Sequence, residues 1–206
     1  MTAADLRARI LEVGDRVFAE RGYAGATVDD VITGAGTSRA TFYRYFKSKE
    51  DLFHELSREC FVEMRAVVRG FGELGPGQVE QADLERLVAL YLDLHRRRGG
   101  VIRAWTERTA PPASPAREEA TATFDALLGE MARALASTGV PSRVDSEVRA
   151  ALLFLAIERS CFYVTNRHSH VDPDRLPRTL ATMSQRAYFG DGAARPRRRL
   201  RVAGGA

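Results

Sequence analysis

The chain has 206 residues, 45% of them hydrophobic, with 31 Lys and Arg against 27 Asp and Glu and a net charge of +4. That apolar share supports a buried core, but the charge excess is too small to indicate nucleic acid by itself, because Arg195, Arg197, Arg198, Arg199 and Arg201 crowd one end. Two cysteines do not make a disulfide framework, the start MTAADLRARILEV lacks a signal-peptide core, and the longest apolar run, Ala150 to Ile157, is far short of the ~20 residues of a membrane span, so a soluble cytoplasmic protein is expected.

Helical periodicity dominates and β-alternation is not evident, which predicts an all-α fold. Leu6, Ile10, Val13, Val17 and Phe18 line one face of a first helix, with Gly14 at a close approach and Gly22 expected as its left-handed cap. Thr27 then N-caps a second helix, with Asp30 at N3 and Val28, Val31 and Ile32 inward. Gly36 marks a turn. Ser38 to Tyr45 forms a short third helix whose buried residues are Phe42 and Phe46. Ser48 caps a long fourth helix, with Glu50 and Asp51 where the helix dipole favours them and Leu52, Phe53, Leu56, Cys60, Phe61 and Met64 leading towards Phe71. Gly72 to Gly77, with Pro76, breaks the chain.

The next amphipathic helix carries Leu84, Leu87, Val88, Tyr91 and Leu92 and is expected to end at Gly99-Gly100. A shorter helix holds Val101, Ile102 and Trp105, closed by a proline loop. Ser114-Pro115 opens another, with Phe124, Leu127, Leu128, Met131 and Leu135 at helical spacing. The most apolar segment, about Asp145 to Asn166, precedes a last helix with Leu176, Leu180, Met183, Tyr188 and Phe189. The end, from 191 to 206, has no periodicity and is expected to be a disordered Arg-rich tail.

The stretch from Thr27 to Leu52 carries the functional signal. Two short helices with a tight turn between them, the second bearing Arg and hydroxyls on one side and Phe on the other, suit insertion into a DNA major groove. The third helix is too short to stand alone. Phe42 and Phe46 pack it, turning the opposite face outward. Arg39, near its N-terminus, can pair with guanine O6 and N7, while Thr41 and Tyr43 offer hydroxyls to phosphates and Lys49 adds charge. Other readings find little support: His168 and His170 with Asp172 and Asp174 are weak metal spacing, and no catalytic triad, phosphate loop or carboxylate pair is recognisable.

The run Ala19-Glu20-Arg21-Gly22-Tyr23, then Thr27-Val28-Asp29-Asp30-Val31, Ala35-Gly36, Ser38, Thr41-Phe42-Tyr43-Arg44-Tyr45-Phe46 and Lys49-Glu50-Asp51-Leu52 resembles the TetR family of bacterial transcriptional regulators. The motif-level match covers roughly the first sixty residues. Gly34 stands where a helix former is usual, and Thr37 replaces a frequent Val.

The resemblance implies a helix-turn-helix DNA-binding domain over 5–65, with the motif at about 27–46, and an effector-binding and dimerisation domain over 66–190. Thr27, Val28, Ser38, Arg39, Thr41, Tyr43, Arg44, Tyr45 and Lys49 become the expected DNA contacts, with Arg39 at the base-contacting position. Asp145–Asn166 and Asp174–Phe189 match the usual dimer helices, giving Leu152, Leu155, Phe162, Leu180 and Met183 as interface candidates. A mixed apolar and aromatic ligand cavity would draw on Tyr91, His95, Trp105, Phe124, Leu128, Phe154 and Glu158.

The expected partners are a palindromic double-stranded operator, a second copy of the chain and an unidentified small effector, with no cofactor, metal or membrane. The function expected is a ligand-responsive repressor. An activator, an effector-free nucleoid organiser and a helical small-molecule binder that has lost DNA binding are the alternatives.

Overall fold

The computed structural model describes residues 3–74, 79–106, 115–139, 145–166 and 170–189. Among these residues the chain forms nine α-helices and no strand, so the fold is all-α. They are α1 Ala3–Gly25, α2 Val28–Ala35, α3 Arg39–Tyr45, α4 Lys49–Gly72, α5 Gln81–Arg97, α6 Gly99–Thr106, α7 Pro115–Ser137, α8 Ser146–Asn166 and α9 Leu176–Ser184. A wider π-type turn, Gln185–Phe189, continues α9. The Arg-rich tail from 191 and residues 167–169 of the His-containing loop lie outside the described residues.

Helices α2, α3 and α4 start where side chains supply the missing backbone acceptors. Thr27 Oγ1 accepts from Asp30 N (3.2 Å), and Asp30 Oδ2 accepts from Thr27 N (3.0 Å), a reciprocal capping box. Ser38 Oγ accepts from Thr41 N and Ser48 Oγ from Asp51 N, each at 3.1 Å. Gly36, at φ 62° and ψ 41°, ends α2, with Gly36 N donating to Thr33 O and Thr37 N to Ile32 O. Gly34, unusual at its position, lies so near α1 that a Cβ there would stand 2.7 Å from Val13 Cγ1.

Gly22 departs from expectation. It has φ 70° but ψ 161°, so it is not a left-handed cap; it kinks α1, which takes one more turn to Gly25. Phe42 and Phe46 are buried with Val31 and Ala35, fixing α3 on α2.

Beyond this module α4 packs along α7, α5 along α9, and α7 along α8, while α6 lies against α1. Gly99 and Gly100 do not end the preceding helix; they open α6. The reason is the approach to α1: a Cβ on Gly100 would fall 2.5 Å from Asp15 O and 2.6 Å from Ala19 N, both backbone atoms. Such contact needs glycine, and it joins the N-terminal module to the remaining helices.

Candidate nucleic-acid interface and ligand cavity

With Phe42 and Phe46 buried, α3 leaves Arg39, Tyr43 and Arg44 outward. Tyr43 is 46% exposed, its ring edge-on to Phe42 at 5.4 Å. Arg39 is not an unattached cation. Its Nη2 donates to Asp29 Oδ1 and Oδ2 at 2.5 and 2.6 Å, bridging α2 and α3 across the turn. Arg44 stacks over Tyr45, 5.1 Å from the ring centre.

Other expected DNA contacts are engaged within the protein. Lys49 Nζ donates to Tyr23 O (2.9 Å) and Ala26 O (3.0 Å) and lies 4.5 Å from the centre of the Tyr23 ring. Its charge ties the start of α4 to the end of α1. Tyr45, half-buried, donates from Oη to Ala3 O at 3.1 Å and so holds α1. Ser38 Oγ and Thr41 Oγ1 bond to each other at 2.8 Å, and Thr27 Oγ1 donates to Asp30 Oδ2 at 2.7 Å. Val28 packs against the core. These bonds shape and orient the module; Thr27 and Ser38 stay exposed, and on α3 itself Arg39, Tyr43 and Arg44 are the outward polar side chains.

A cavity of about 320 Å³ lies among α4, α5, α6, α7 and α8. Of the residues named from the sequence, Tyr91, Trp105, Phe124, Phe154 and Glu158 line it. His95 and Leu128 do not. His95 is buried behind Tyr91, ring centres 5.0 Å apart, and burial lowers its pKa to about 4, so it is neutral. α4 contributes Ser57, Cys60, Phe61 and Met64, all missed as lining residues because their spacing is that of any core-facing helix stripe. Burial pushes the Cys60 thiol up to about 12, leaving it inert at neutral pH. The lining is chiefly apolar, suited to a small organic molecule.

The family model for bacterial regulatory proteins of the tetR family matches residues 10–56, which include the whole helix-turn-helix. The transcriptional repressor AcnR of Corynebacterium glutamicum is 36% identical over 92 residues, 44% of this chain and 49% of that protein. The chain thus spans about half the length, or less, of the first curated relatives it matches. The transcriptional repressor Rv1474c of Mycobacterium tuberculosis extends the likeness: 31% identity over 179 residues, 84% of this chain and 88% of that one. The chain belongs to the TetR family. A regulator from Saccharomonospora viridis, solved in complex with choline, superposes with a TM-score of 0.70 at 26% identity, covering 89% of this TetR-family chain and 97% of its own.

Helices α8 and α9 of the TetR-family chain divide the interface candidates. Leu152, Leu155 and Met183 are exposed, at 51%, 51% and 62%, and Val148 and Tyr163 extend the α8 stripe. Phe162 and Leu180 are buried within the protomer and offer no surface to a partner. The helical period identified both helices, but the rotation of each about its axis depends on neighbours that periodicity does not specify. Leu155 also lines the cavity, so cavity and exposed stripe share a residue.

The junction of α1, α4 and α6 holds a charged cluster with no sequence motif. Asp15, 6% exposed, accepts from the Val101 N–H in the first turn of α6. Arg98 Nη2 reaches Glu63 Oε1 (2.6 Å) and Glu59 Oε2 (3.1 Å) of α4. Burial raises the Asp15 pKa to about 6, against the opposing pull of Arg98 and of the Val101 N–H. No helix among the described residues is long and apolar enough to cross a membrane.

Proposed function

We propose that this TetR-family chain is a ligand-released transcriptional repressor that binds a near-palindromic operator as a homodimer, in the cytoplasm. The observation that carries this reading is the continuity of α4. Its first turn, through Lys49, is bonded to the helix-turn-helix module, and the same helix carries Ser57, Cys60, Phe61 and Met64 into the cavity wall. At 1.5 Å per residue, Lys49 and Cys60 are roughly 16 Å apart along one rigid element. A molecule that displaces the α4 wall therefore moves the end of α1 and the entry to the helix-turn-helix that Lys49 holds.

Arg39, Tyr43 and Arg44 form the outward face of α3, suited to base edges and phosphates. The apolar stripe of Val148, Leu152 and Tyr163 on α8, with Met183 on α9, supports pairing of two copies about a two-fold axis. Ligand acts by favouring the arrangement in which the two α3 helices no longer match successive grooves, since it can shift the equilibrium only through differential affinity. Regulator names among the relatives agree with this reading.

The experiment is a reporter driven by the promoter beside the coding sequence, paired with footprinting on the same DNA. Repression together with a protected inverted repeat is expected. Activation, or protection without repeat symmetry, contradicts the reading.

A further inference from the structure

Tyr91 is 3% exposed and lines the cavity, yet its Oη has no hydrogen-bond partner among the described residues. Nearby hydroxyl chemistry is otherwise complete. Ser57 Oγ donates to Phe53 O at 2.8 Å and accepts from Trp105 Nε1 at 3.0 Å. A buried hydroxyl with no partner is unfavourable where a phenyl ring would pack as well, so its position against a cavity marks it as a contact for something that enters.

Resting on the reading that this cavity holds the effector, we propose that Tyr91 Oη is its polar anchor and that the effector is an uncharged, mostly apolar molecule bearing a carbonyl or hydroxyl oxygen at its leading end. Burial, then the nearby Glu158 charge, holds the Tyr91 phenol well above its ordinary pKa, so it stays protonated and donates. An oxygen acceptor satisfies it; a hydrocarbon does not.

Burial at Tyr91 strips hydration from any ionic leading group, a cost that an uncharged oxygen acceptor escapes. The Glu158 side chain, only 13% exposed, lies close enough to Tyr91 to raise its pKa and repels a carboxylate there. Glu158 is already paired with Arg159 (Nε to Oε2, 3.8 Å), and Arg117, stacked 5.4 Å over Trp105, adds positive charge beside the same cavity, so an organic cation gains little there. Phe124 and Phe154, edge to face at 5.2 Å, supply walls for a ring or branched alkyl body.

The test uses four probes that share a phenyl ring and differ in the attached group: acetophenone, ethylbenzene, benzoate and phenyltrimethylammonium. Binding is followed by calorimetry and by fluorescence of Trp105, the single tryptophan in the chain. Acetophenone is expected to bind about fivefold more tightly than ethylbenzene, and both ions more weakly than either.

Tyr91→Phe should erase the acetophenone advantage, leave ethylbenzene unchanged, and raise the melting temperature of the ligand-free protein. A purely packing role for Tyr91 would not produce that opposed pair of effects. The inference is overturned by the absence of saturable acetophenone binding at millimolar concentration, by an ion binding tightest, or by an unchanged acetophenone preference in Tyr91→Phe. Selection of duplexes by the wild-type chain is read separately. Its failure would overturn the repressor reading while leaving the probe ranking to stand or fall alone.

Discussion

Asp15→Asn should stabilise the protein at neutral pH, although it removes a charge from a network containing Arg98. In the fold the Asp15 pKa is about 6 against an ordinary 3.8, raised chiefly by burial. The folded state therefore keeps the proton to higher pH than the unfolded chain does. Its contribution falls as pH rises from about 4 to about 6 and stays lost above that.

A shift of about 2 units corresponds to about 3 kcal/mol at pH 7.5, with about 1 kcal/mol already lost at pH 4.5. Asn removes this cost and keeps an oxygen for the Val101 N–H. His95 works in the opposite direction: its pKa of about 4 lies below the ordinary 6.5, so its contribution is lost as pH falls through the same window. In the wild type the two slopes offset each other. In Asp15→Asn the His95 slope is exposed, so stability rises by about 3 kcal/mol between pH 4 and pH 7. Urea denaturation followed by circular dichroism at pH 4.5, 6.0 and 7.5 measures both effects. A variant destabilised at pH 7.5, or differing from wild type by the same amount at every pH, refutes the reasoning.

Three further perturbations probe the interface. Lys49→Met deletes two charge-assisted bonds to the carbonyls of Tyr23 and Ala26 and should cost about 2 kcal/mol in urea denaturation; the salt slope of DNA binding should not change, whereas a fall of about one indicates a phosphate contact instead. Asp29→Asn releases the Arg39 guanidinium, which should relax preference at one base pair by about 1 kcal/mol and strengthen binding to random duplex; competition titrations read both. Leu152→Glu places a charge in the exposed α8 stripe and should yield monomers by light scattering, with a matching loss of operator affinity.

The N-terminal module was legible in the sequence because its signals are local. Thr27, Ser38 and Ser48 each cap the helix they precede, Gly36 supplies the left-handed turn, and Phe42 with Phe46 alone can pack a seven-residue helix. What the sequence missed depends on contacts distant along the chain. Lys49 has the position of a phosphate contact, and only the fold brings the Tyr23 and Ala26 carbonyls to it. Asp29 carries no motif until the turn sets it beside Arg39. Gly99-Gly100 looks like a helix end, and becomes a helix start because the backbone of α1 leaves no room for a Cβ. In the cavity the aromatic residues were foreseeable, but the α4 wall was not, since a residue facing a void and one facing a neighbour share the same helical spacing.

Selection of duplexes from a randomised pool by the full chain tests the central claim most directly. The proposed dimeric repressor predicts an enriched inverted repeat, its half-site centres one helical turn or a multiple apart, with one base position relaxed when Arg39→Ala is used. A pool that stays random, or a single unrepeated motif bound by one copy, contradicts it.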